Sequence, residues 1–120
     1  MNPLEFETLR SSMGFTHTVL ADHFRVSLRT AQRWCATQDP PEGVASELMG
    51  MWGDWADRIA DTLDVAEALD TPPVVLMAYR DELECQTHTG LNLSQHQALL
   101  GHICMALTAE DYDWEIQYKP

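Results

Sequence analysis

The apolar positions of this chain fall into three regimes. From Pro3 to Trp34 they recur at helical spacing in short bursts. From Val44 to Leu69 they form one long stripe through Leu48, Trp52, Trp55, Ile59, Leu63 and Ala66, backed by Asp54, Asp57, Asp61, Asp64 and Glu67. Beyond Pro72 and Pro73 they condense into strand-length runs around a further helical stretch. The pattern predicts a mainly α chain with a small α+β C-terminal part, divided into residues 1–50 and 51–120.

The first regime is punctuated by caps. Asn2 with Pro3 at N1 and Glu5 at N3 starts one helix. Thr16 caps a second, running to about Phe24, with Phe15 outside and Leu20 at N4 positioned as a hydrophobic staple. Ser27 repeats the device with Val26 and Ala31. The helix it opens, read over Ser27–Ala36, presents Leu28, Arg29, Gln32 and Arg33 on one side and buries Ala31 and Trp34 on the other. Pro40, Pro41 and Gly43 then mark a loop before the long stripe, whose helix Gly50 and Gly53 are placed to bend or interrupt.

The stretch THTVLADHFRVSLRTAQRW, Thr16 to Trp34, resembles the Cro/repressor-like (XRE) helix-turn-helix family, through Ala21 at the helix crossing, Val26 after the turn, and Ala31 and Trp34 on the buried face. PLEFETLRSSMGFTHTVLADHF is similar to the family's first two helices, and RTAQRW followed by PEGVASEL to its recognition helix, loop and fourth helix, so residues 3–48 are covered. One position departs from the pattern: Arg25 stands in the turn where the family usually has glycine, which puts the geometry of the turn in question. The resemblance implies a lambda-repressor-like bundle whose recognition helix enters the DNA major groove. It further implies a homodimer on an inverted repeat, with two such helices about one turn, roughly 34 Å, apart. The expected function is that of a sequence-specific transcriptional repressor acting by occlusion, including autorepression. On chemical grounds Arg29 and Arg33 suit guanine edges or phosphates, Gln32 adenine, Leu28 a thymine methyl, and Thr16, Thr18 and Ser27 phosphates.

After the long helix, Val74–Tyr79 reads as a strand of branched and aromatic residues. Asp113–Lys119 alternates Trp114, Ile116 and Tyr118 with Glu115, Gln117 and Lys119, the pattern of a half-buried strand. Between them lie a short helix and a longer one, for which Ser94 with Gln97 three residues on is the expected cap. Strand, two helices and strand resemble, in arrangement, the C-terminal dimerization regions of small phage and bacterial repressors such as the anti-CRISPR-associated autorepressors. The stripe from Trp55 to Ala66 looks wider than this part of the chain covers. Trp55, Ile59, Leu63, Trp114, Ile116 and Tyr118 are therefore the candidate dimerization residues.

Charge changes the picture more than composition does. The 120 residues carry a formal net charge of -12, which argues against general affinity for nucleic acid. Yet residues 1–36 hold Arg10, Arg25, Arg29 and Arg33 against only Glu5, Glu7 and Asp22, whereas Arg58, Arg80 and Lys119 face all the other carboxylates. An acidic second half also allows an alternative, an antitoxin-like or adaptor module that binds a protein partner and carries a secondary or vestigial helix-turn-helix. The joint presence of Arg29, Gln32 and Arg33 on one helix face favours double-stranded DNA over that alternative.

Other chemistry has little support. Cys35, Cys85 and Cys104 are odd in number and irregular in spacing, so no disulfide framework is expected, and Cys35 reads as helix packing. Cys85, His88, His96, His102 and Cys104 allow a zinc site to be drawn, but His102 and Cys104 point to different sides of one helix, and no metal or cofactor is expected. No Gly-rich phosphate loop and no H-E-x-x-H occurs, so the chain is not expected to be an enzyme. MNPLEF reads as a helix start and not a leader, and no apolar run has spanning length. A cytoplasmic protein without membrane contact is the expectation.

Overall fold

Caps decide where the front helices begin, and the computed structural model, which describes residues 1–120, shows each of them made. Asn2 Oδ1 accepts from the Glu5 amide at 2.8 Å while Glu5 Oε1 accepts from the Asn2 amide at 2.8 Å, a reciprocal capping box that opens α1, Pro3–Ser12. Thr16 Oγ1 accepts from the Val19 amide at 3.1 Å and opens α2, His17–Phe24. Ser27 Oγ accepts from the Thr30 amide at 3.1 Å and opens α3, Leu28–Trp34. The chain then runs through Pro40 and Pro41 into α4, Glu42–Ala68. This helix starts two residues before the expected Val44 and continues unbroken through Gly50 and Gly53, because neither glycine needs a special backbone conformation there.

The protein divides into two compact units, Met1–Asp54 and Trp55–Pro120, with the division inside α4, four residues beyond the expected boundary. In the first unit Phe6, Met13, Phe15, Leu20, Ala21, Ala31, Trp34 and Leu48 form the core. Trp34 meets Phe6 and Phe24 edge-on, with ring centroids 6.2 and 6.1 Å away. Such edge contacts add about 0.5–1.5 kcal/mol each beyond the area they bury.

In the second unit β1, Val74–Ala78, is followed by α5, Glu82–Thr89, α6, Leu93–Ala109, and β2, Trp114–Tyr118. The strands pair in parallel, Val74 with Trp114, Leu76 with Ile116 and Ala78 with Tyr118, and the two helices supply the crossover that parallel pairing requires. Val74, Leu76 and Ala78 are buried with Trp55, Ala66, Cys85, Leu99, Leu100, Ile103, Cys104 and Leu107. The protein is thus mainly helical with one small two-stranded sheet. No helix is long and apolar enough to cross a membrane.

Three expectations need correction here. Asn92, not Ser94, caps α6: its Oδ1 accepts from the Gln95 amide at 2.8 Å and Gln95 Oε1 accepts from the Asn92 amide at 3.0 Å, so Ser94 lies inside the first turn. β2 is not half-buried, since all five of its residues are exposed. The stripe on α4 is better covered within its own unit than its width suggests. Trp55 is only 5% exposed, with its indole 5.9 Å from the His102 ring, and Ala66 is buried, while Ile59 and Leu63 are half-buried.

The turn between α2 and α3 keeps the left-handed geometry for which glycine is suited. Arg25 adopts φ 55°, ψ 46°. The left-handed region costs an L-residue about 1–2 kcal/mol, and glycine gives back about 0.5–1 kcal/mol through its freer unfolded chain. Arg25→Gly should therefore raise stability by about 0.5–1 kcal/mol. The expected reading is a higher urea midpoint with an unchanged m-value. A lower midpoint would show that the Arg25 side chain contributes more by packing than the turn loses by strain.

Candidate nucleic-acid interface

The surface of α3 follows from what its other side must bury. Ala31 and Trp34, three apart, face the core, and helical geometry then leaves Leu28, Arg29, Gln32 and Arg33 outside. All four are exposed, Leu28 by 44% despite being apolar. The helix ends at Trp34, two residues short of the expected Ala36, because the Thr37 and Gln38 amides both bond back to the Arg33 carbonyl at 2.9 Å and close a turn.

Electrostatically the four arginines of this region separate into two kinds. Arg10 is internal to the unit: its Nε donates to Glu7 Oε2 at 2.7 Å, its Nη2 pairs with Glu7 Oε1, and its Nη1 donates to the Phe15 carbonyl at 2.5 Å. It binds α1 to the loop before α2 and contributes no open charge. Arg25, Arg29 and Arg33 are exposed and take part in none of the salt bridges. Three uncompensated cations therefore lie on the turn and outer face of α3.

The hydroxyl candidates fare unevenly. Thr18 is exposed, and Thr16 is exposed with its Oγ1 accepting the cap bond, which leaves its proton to give. Ser27 has less to offer: Oγ accepts from the Thr30 amide and also donates to Thr30 Oγ1 at 2.9 Å. A phosphate contact through Ser27 would have to displace that second bond.

The second unit's candidates divide in the same way. Trp55 is inside, whereas Trp114, Ile116 and Tyr118 are exposed by 40%, 40% and 55% on the edge strand β2. The Trp114 indole donates to Thr108 Oγ1 at 2.9 Å, and the Arg80 guanidinium lies 3.9 Å over the Tyr118 ring. These contacts hold the aromatic rings in place without covering them.

The histidines and cysteines that suggested a zinc site on paper do not converge. Cys85 pairs with Thr89 inside α5, His88 stacks on Tyr79 and meets Lys119, and His96 meets Tyr79 edge-on, with burial lowering its pKa. His102 lies against Trp55. Instead the structure gathers Glu7, His17 and Cys35, from α1, the first residue of α2 and the C-cap of α3. Intervals of 10 and 18 residues match no ligand spacing, so only tertiary packing reveals this cluster. Compared with known protein families and with curated proteins, the chain finds no match.

The Glu7–Arg10 pair makes a pH prediction. Hydrogen bonding from Arg10 is the largest cause holding the Glu7 carboxyl below its ordinary 4.5, against burial, which raises it. A depressed carboxylate stabilises the fold above its unfolded pKa and loses that contribution as pH falls through the folded value. Glu7→Gln should thus destabilise the protein by about 1 kcal/mol at pH 7, a modest figure because the pair is partly exposed. The difference from the parent should shrink in urea melts as pH falls from 7 through the lowered carboxylate value. A gap that stays constant as the carboxylate is protonated would assign it to packing, not to charge.

Proposed function

We propose that the protein is a sequence-specific DNA-binding transcriptional regulator, a homodimeric repressor whose α2, turn and α3 act as a helix-turn-helix. The observation that carries the reading is the outward face of α3. Arg29, Gln32 and Arg33 stand together there, exposed and unpaired, while Ala31 and Trp34 anchor the opposite face. A bidentate arginine or amide is what distinguishes base pairs in the major groove, and a rigidly backed helix is what presents it. Leu28 supplies an exposed apolar contact suited to a thymine methyl. Thr16, Thr18 and Arg25 suit phosphates, with Ser27 the weakest of the set. A surface that only solvates the protein has no need of these groups together.

The dimer would form through β2. Its ladder is satisfied on one side only, by β1, and its apolar residues are exposed. An unprotected strand edge of this kind is a template for another strand. Antiparallel pairing of two β2 strands about a two-fold axis through Ile116 would set Trp114 against Tyr118 of the partner subunit and Glu115 against Gln117 of the partner subunit. No like charges oppose each other in that register. A repressor of this design acts by occluding the polymerase at an inverted repeat.

Two experiments check the reading. Arg29→Ala and Arg33→Ala should leave the circular dichroism and melting temperature near parental values, since neither side chain packs. Each should weaken binding to a site selected from a random DNA pool. A guanine contact costs about 1–3 kcal/mol at its own base pair, and a phosphate contact lowers all sequences alike and reduces the salt slope by about one. A parent that selects no sequence overturns the proposal in favour of a protein-interaction module for the acidic half. Separately, the parent should sediment as a dimer at micromolar concentration and Ile116→Asp as a folded monomer. A monomeric parent overturns the dimer.

A further inference from the structure

We propose that Glu7, His17 and Cys35 form a binding site for a divalent transition metal of the zinc class, joining α1, α2 and α3. The site would take a single ion through one carboxylate oxygen, one imidazole nitrogen and one thiolate. It stands apart from the DNA-binding reading and survives its failure.

The donor set is the first argument. Carboxylate, imidazole and thiolate are the three ligand types that zinc accepts from proteins, and here one of each is offered, with the ligand atoms all within 4.8 Å of one another. Glu7 Oε2 and His17 Nε2 are 3.8 Å apart. Tetrahedral coordination with bonds of about 2.0–2.3 Å places ligand atoms roughly 3.3–3.7 Å apart. Closing the triangle therefore asks the ligand atoms to approach by about an ångström, within the reach of side-chain rotation.

Arg10 is the apparent objection, since a cation beside a cation site is unfavourable. Its geometry makes it a support instead. Nε and Nη2 each use one lone pair of the Glu7 carboxylate, and each carboxylate oxygen keeps another. Ligating carboxylates are ordinarily held by such outer hydrogen bonds. The charges also close: a dication against the Glu7 carboxylate and a Cys35 thiolate is neutral, which leaves Arg10 with the net charge. Without the ion, the cluster holds its thiol protonated, as burial and the neighbouring Glu7 push Cys35 up to about 11. Metal binding then releases that proton to solvent. The charged and titratable groups around Cys35 are Glu7 and Arg10 from α1 and His17 from α2. With three protein ligands the fourth position belongs to water or to a small exogenous ligand.

Cobalt is the probe, because its thiolate complexes absorb where the free ion does not. Reduced full-length protein titrated with Co²⁺ should show a near-ultraviolet thiolate-to-cobalt band that saturates at one equivalent and is abolished by Zn²⁺. Cys35→Ser should lose the band entirely although Cys85 and Cys104 remain. His17→Gln should weaken Zn²⁺ binding by more than about 100-fold, beyond the 10–100-fold typical of an outer-sphere change. Circular dichroism confirms that each variant is folded. No band in the parent, a band that persists in Cys35→Ser, or equal affinity in His17→Gln overturns the site.

Discussion

The position of one indole governs what the first unit presents to its surroundings. Trp34 is the last residue of α3, and its ring is held edge-on by Phe6 of α1 and Phe24 of α2. With Ala31 one turn earlier also buried, the rotation of α3 about its own axis is fixed. Arg29, Gln32 and Arg33 are outward because Trp34 is inward. A seven-residue helix has little stability of its own, so tertiary packing and the Ser27 cap must supply it. Rigidity of the presented face and burial of the opposite face are the same fact.

The second unit obeys a different constraint. Parallel strands cannot be joined by a tight turn, so β1 and β2 need α5 and α6 between them, and α6 provides Leu99, Leu100, Ile103 and Leu107 to cover β1. Two strands make a small sheet. β1 gains cover on the face of Val74, Leu76 and Ala78, whereas β2, at the margin, keeps its corresponding residues exposed. Both strands touch α6, so the contrast lies in how far each side chain is covered: Val74, Leu76 and Ala78 are buried, whereas the larger Trp114, Ile116 and Tyr118 stay 40–55% exposed.

Much of this was legible in the chain. Asn2, Thr16 and Ser27 announce helix starts because capping is local chemistry, read within four residues. The same rule failed at α6 for an instructive reason. Asn92 with Gln95 and Ser94 with Gln97 both satisfy it, and only the packing of the segment chooses the earlier pair. The burial of Trp55 and the exposure of β2 both escape the sequence pattern, since alternation tells which residues share a face but not whether anything covers that face. The outward set on α3 was readable as a helical face. The Glu7, His17 and Cys35 cluster was not, because its members come from three helices and share no period.

Arg25 shows how far a local preference can be overruled. After α2 the Val26 amide bonds back to the Ala21 carbonyl at 3.0 Å and the Arg25 amide to Asp22 at 3.3 Å. That six-to-one closure requires the residue between to be left-handed, whatever its side chain, and it brings Val26 toward the buried Ala21. The hydrogen bonds satisfy carbonyls that the helix end would otherwise leave open, each worth about 1 kcal/mol net. They outweigh the strain of an L-residue there, about 1–2 kcal/mol, only because the Ser27 cap begins α3 immediately afterwards and fixes the turn from the other side. Glycine makes such a turn easier, but the closing hydrogen bonds and the two flanking helices make it necessary, and an arginine so placed is carried on the exposed turn beside α3 with its guanidinium unpaired.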